Sequence, residues 1–159
     1  MEVKKLLEEF DEETIREFVG KNADYYLNKW KLMAASGSKV SWNWAAFCFE
    51  VLWMAYRKMY LYALIVMLLS FIPVIGSILS LIFWIGIGIF GNYLYGKFTY
   101  RKLSVLRSAF TDDELFKQEV IKSGGTSILG VFLFIILALL LALLISIATT
   151  NITEYGHYL

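Results

Sequence analysis

The sequence predicts an all-α integral membrane protein with three transmembrane helices, plus N-terminal amphipathic and aromatic interfacial helices. Three observations carry this. Hydrophobic residues make up 58% of the 159 and the mean hydropathy is +0.60, well above the roughly 45–50% apolar content of soluble chains. No Asp, Glu, Lys, Arg or His occurs between Arg57-Lys58 and Lys97. A second uncharged run, Ile128 to Ile147, is almost wholly Leu, Ile, Phe and Ala. Each run is long enough to need apolar surroundings on every side, which a chain of this size cannot supply from its own core.

Residues 1–40 read as a cytosolic amphipathic segment, and 41–159 as a membrane domain. Phe10-Asp-Glu-Glu-Thr14 looks like a helix start, with Asp11 as the cap and Glu12 and Glu13 placed favourably in the first turn. Ile15, Phe18, Val19, Tyr26, Trp30 and Met33 then recur at steps of three and four, the spacing of one buried face. One helix is expected, weakened but unbroken at Gly20 and ended by Gly37. Charges spread through the first forty residues, with no cleavage-site pattern, predict that the N-terminus is retained.

Ser41-Trp-Asn-Trp44 predicts the next helix start, and Trp42, Trp44, Trp53, Tyr56, Tyr60 and Tyr62 form an aromatic belt. Such rings prefer the headgroup layer, where one edge hydrogen-bonds while the body leaves water. Arg57 and Lys58 are expected to snorkel to phosphates or water. Two arrangements fit residues 45–72: an interfacial helix followed by a short crossing, or one bent helix. Asn43 fits a cap or a headgroup contact. Glu50 fits an ion pair with Arg57, a bound cation, or contact with solvent or headgroups.

The first crossing is placed near 59–75, turning at Pro73-Val-Ile-Gly76. The second, near 77–96, carries Gly86, Gly88, Gly91 and Asn92 as helix-packing candidates. Residues 97–125 form a polar interval with six basic and four acidic side chains through Lys122. A capping box at Thr111 with Glu114 is expected to start a short helix there. The third crossing is near 127–148. Lys and Arg precede the first crossing and fill the second interval but are missing from the Pro73 turn and the tail. The N-terminus and the 97–125 loop are therefore expected in the cytosol, and the C-terminus outside.

Val19-Gly-Lys-Asn-Ala-Asp-Tyr-Tyr26, Lys29-Trp30, Ser41-Trp-Asn-Trp-Ala-Ala-Phe47, Leu52-Trp53 and Tyr56-Arg-Lys-Met-Tyr60 resemble the bacterial membrane-protein family catalogued as domain of unknown function 2628. The likeness runs from about Phe18 to Leu103. Relatives often carry Gly-Pro, a helix-breaking pair, where this chain has Glu50-Val51. The resemblance implies a multi-pass protein of the bacterial cytoplasmic membrane. It supplies no reaction, ligand or catalytic residue.

The residues point to no catalytic site, cofactor, metal or nucleic-acid partner. His157 is the sole histidine and Cys48 the sole cysteine. The glycines at 86, 88 and 91 lie in an apolar run without the lysine-serine pair of a phosphate loop. The leading expectation is a non-enzymatic protein binding membrane lipids or assembling with itself or another membrane protein through the glycine-bearing face. A small oligomeric channel or transporter, using Glu50 or Asn92, is one alternative. A lipid-binding module centred on Trp42 to Tyr60 is the other.

Overall fold

A computed structural model describes residues 1–72 and 75–156; the expected turn residues Pro73 and Val74, and His157, lie outside them. All regular structure among the described residues is helical. The N-terminal region forms α1 (Glu2–Glu9), α2 (Glu12–Val19) and α3 (Ala23–Ser36). Asp11 caps α2 by accepting the Thr14 amide at 2.8 Å, satisfying an N–H that has no partner inside the helix. Those bonds also hold the Asp11 carboxyl below its ordinary range.

The single amphipathic helix expected from Asp11 to Gly37 is divided. Gly20 and Asn22 take φ values of 62° and 66°, so the chain reverses between α2 and α3. Gly20 adopts this conformation without a Cβ penalty, and asparagine is among the few other residues that tolerate it. The reversal lets Ile15, Phe18 and Val19 of α2 and Tyr26, Trp30 and Met33 of α3 all enter one core. Arg16 bonds both Glu12 and Asp24, fastening the two helices at the surface. The short α1 had no expected counterpart; its Val3 and Leu6 are fully buried.

The remainder comprises α4 (Trp44–Tyr56), α5 (Tyr60–Ser70), α6 (Ile75–Ala109), α7 (Asp113–Ser123) and α8 (Ile128–Gly156). Gly76 lies in the first turn of α6 rather than in a connecting turn. That helix does not stop at the start of the polar interval: it continues for 35 residues, about 52 Å at 1.5 Å per residue. No Pro or Gly interrupts Lys97 to Ala109, and Phe98 and Leu103 are buried on one side of it. The cap of α7 is Asp112, which accepts the Leu115 amide at 2.9 Å, and not the expected Thr111. A carboxylate one residue later meets the same need for an acceptor.

Among the described residues two helices are long and apolar enough to cross a membrane, Ile78–Ala109 and Ile128–Thr150. One hydrophobic cluster joins Val3, Phe18 and Trp30 to Trp53, Tyr95 and Val120, so the polar-faced helices and the first apolar stretches share packing. By contrast α8 leaves Leu129, Phe132, Leu139 and Leu144 exposed.

At the start of α1, Glu2 accepts the Tyr93 hydroxyl and faces Lys97 at 3.4 Å. The Tyr93 bond, the Glu2 backbone and Lys97 hold its carboxyl at about 2, against an ordinary 4.5. A carboxyl depressed by folding stabilises above its unfolded pKa and loses that contribution as pH falls toward its folded value. Between pH 4.5 and 2, Glu2→Gln should therefore flatten the pH dependence of thermal unfolding, by on the order of 1 kcal/mol given partial exposure. Identical slopes for both proteins would show that this contact carries no linkage.

Candidate functional site

Buried polar side chains gather where the segment 41–43 meets the middle of α6. Gly88 and Gly91 let that segment approach closely: Ser41 and Asn43 donate their amides to the carbonyls of Ile89 and Gly88 at 3.0 and 2.8 Å. Asn43 also caps α4, accepting the Ala46 amide at 3.0 Å, and its Nδ2 donates to Asn92 Oδ1 at 2.9 Å. Asn92, fully buried, donates in turn toward Ser41 Oγ, the Trp42 carbonyl and the Tyr25 hydroxyl. Trp30 Nε1 donates to the Asn92 carbonyl at 2.8 Å. A satisfied network of this kind fixes one arrangement, because each member would be costly to leave unpaired in a low dielectric.

The second cluster surrounds Arg57, which is 2% exposed. It does not face open water as expected, and its hydrogen bonds in the folded chain go to protein carbonyls. Its Nη1 donates to the Val19 carbonyl at 3.2 Å and its Nη2 to the Lys21 carbonyl at 3.0 Å. The guanidinium carbon lies 4.5 Å from the Tyr26 ring centre, 5.2 Å from Tyr95 and 5.6 Å from Tyr56. A planar cation suits this place: it bridges two carbonyls at the negative end of α2 while its face rests on aromatic rings. Gly125 N–H bonds the neighbouring Phe18 carbonyl at 2.7 Å, so the α2 end is held from two directions. Nε of Arg57 is buried without an acceptor, and among the described residues no carboxylate pairs with this side chain.

Arg57 also lines a cavity of about 410 Å³ with Tyr26, Ala45, Phe49, Leu52 and Val131. The cavity exists because α4 is broken in the middle. Glu50 has φ 32° and ψ −102°, so the halves of α4 diverge and place Ala45 and Phe49 opposite Leu52 and Trp53. The break falls at the Glu50-Val51 pair, with neither glycine nor proline present. A positive φ on glutamate is strained, and Oε1 of Glu50 is buried without a partner. Of the three readings open to Glu50, the ion pair with Arg57 is not formed. Glu50→Gly removes both penalties and should raise stability by about 1–2 kcal/mol, read as a higher midpoint of thermal unfolding. A fall in the midpoint would mean that the carboxylate has a stabilising role.

The other expected residues fall around these clusters. Trp53 Nε1 donates to the Tyr26 hydroxyl at 3.2 Å inside the core. Trp42 packs on Phe47 and Trp44, and Trp44 itself is exposed. Tyr60 stacks on Phe134 of α8. Lys58 donates to the Lys122 carbonyl at 3.2 Å in an exposed contact. Gly88 faces Phe47 and Trp42, and Gly91 faces Ala46 and Trp53 of the same chain. Both positions are therefore packed against α4 and the segment before it within the chain, while the space around Gly86 is open. Among the described residues no group of three His, Cys, Asp or Glu side chains could hold a metal ion.

Sequence reasoning found Asn43 and Asn92 separately but not their bond, and missed Tyr26 and Tyr95 as the walls around Arg57. Their spacing to Arg57 gives no local signal. No curated protein and no solved structure matches this chain. Apart from Gly125 and Val131, the residues of both clusters lie within the region 11–101 that matches the model of DUF2628, a protein family of unknown function, and the chain belongs to that family.

Proposed function

We propose that this is a non-enzymatic, multi-pass protein of the bacterial cytoplasmic membrane that binds or assembles with another membrane component. The observation that carries the reading is the shared core between a polar-faced helical cap and apolar helices. Asn43, Asn92 and Arg57 serve chiefly to fasten that cap to α4 and α6. A channel would need Asn92 free to face a pore, yet its amide is occupied on both sides. In this reading α5, the apolar part of α6 and α8 cross the bilayer. Residues 1–40 and 97–125 form the cytosolic cap, and the C-terminus lies outside. At 11 residues α5 reaches about 16 Å, so its crossing draws on residues near 59–75 and on local thinning of the bilayer.

Cysteine labelling in intact cells tests the arrangement. In a Cys48→Ser background, Glu154→Cys should react with an impermeant maleimide, and Ser108→Cys should react only after the membrane is opened. The reverse pattern would overturn the topology.

A further inference from the structure

We propose that the cavity beside Arg57 is a binding site for one anionic phospholipid, with the headgroup phosphate at the guanidinium and an acyl chain between the halves of α4. This rests on the membrane reading above and names the component bound. A cation that is 2% exposed and paired with no carboxylate among the described residues leaves a positive charge uncompensated in a low-dielectric setting, which is unfavourable. Two carbonyl dipoles and three rings offset part of that cost, and Nε remains without an acceptor. An anion would complete the set.

The rest of the cavity fits an amphiphile. Its polar end is bounded by Asn22, Tyr26 and Arg57, at the turn between α2 and α3. Trp53 and Tyr56 also line it, and the remaining walls are Ala45, Phe49, Leu52 and Val131; Phe49 is 61% exposed, so the cavity has an apolar rim. Val131 lies in the first turn of α8, where that apolar helix begins. A headgroup and the first part of a chain therefore meet polar and apolar walls in the order a lipid presents them. At about 410 Å³ the space is within the size usual for small-ligand sites, enough for a headgroup and the start of one chain.

The test uses the full chain in nanodiscs containing equal parts phosphatidylglycerol and phosphatidylcholine, with retained lipid read by native mass spectrometry. One phosphatidylglycerol should stay bound per chain in preference to phosphatidylcholine. Ala45→Trp fills the cavity without touching the Arg57 hydrogen bonds, and should weaken retention at least about tenfold while the unfolding midpoint in lipid-free detergent holds. Equal retention of both lipids, or retention unchanged by Ala45→Trp, would overturn the proposal and leave the membrane reading standing. Displacement by millimolar inorganic phosphate would overturn it in favour of a soluble anion. Failure of the chain to enter nanodiscs at all would overturn both readings.

Discussion

Arg57→Leu should detach the end of α2 from the rest of the protein and lower stability by about 2–4 kcal/mol. The carbonyls of Val19 and Lys21 lose charged donors, and the Tyr26 and Tyr95 rings lose the cation packed on them. A leucine fills part of the space but offers nothing to either carbonyl. Arg57→Lys should fall between, since an ammonium keeps the charge but cannot span two acceptors with a flat fork while lying on a ring. Thermal unfolding gives the magnitude. Limited proteolysis locates the damage: new cleavage should appear around Gly20 to Ala23 ahead of any in α6. Wild-type resistance at that turn, with a lowered midpoint, would place the loss elsewhere.

Gly124→Ala should have an effect at least as large. A Cβ there would overlap the Phe18 carbonyl oxygen and lie 2.7 Å from Phe18 Cα and 2.8 Å from its carbonyl carbon. These are backbone atoms of a buried helix end, so no rotamer change relieves the contact. Either α2 or the 124–125 segment must move, breaking the 2.7 Å bond from Gly125 to Phe18, for a loss of about 3 kcal/mol or more. Gly86→Ala is the matched control. Nothing lies within 4 Å of the added methyl, and alanine favours a helix by up to about 1 kcal/mol over glycine. A neutral or stabilised Gly86→Ala beside a crippled Gly124→Ala would separate close packing from the general cost of replacing glycine.

The parts of this fold legible in the sequence are those whose cause is local. The uncharged runs in α6 and α8 declare themselves because hydrocarbon-length segments need no partner to be recognised. Asp11 and Asn43 read as caps because a short side-chain oxygen ahead of an apolar pattern has one common use. The break at Gly20 was not legible, since a glycine inside a periodic stretch is tolerated as often as it reverses the chain. Its close approach to Gly125, more than a hundred residues on, is what gives the reversal its place. Arg57 was misread for the same reason. Beside an apolar run a basic residue ordinarily reaches for water, and only the carbonyls 36 and 38 residues away make burial the better outcome. The face of Gly88 and Gly91 was correctly seen as a place of close approach, but sequence could not say that the approaching element would be α4.

The continuity of α6 has a mechanical consequence. One unbroken helix of 35 residues carries both the apolar stretch near its start and, through Tyr93, Tyr100 and Leu103, the surface on which α1 sits. With no hinge between them, the two ends of this lever move together. A change of about 10° in its inclination, of the size that follows a change in bilayer thickness, would sweep the far end through about 9 Å over a length of about 52 Å. The helices gripping that end must travel with it, so on the membrane reading proposed above a change in lipid thickness would displace the cap mainly sideways, along the membrane surface.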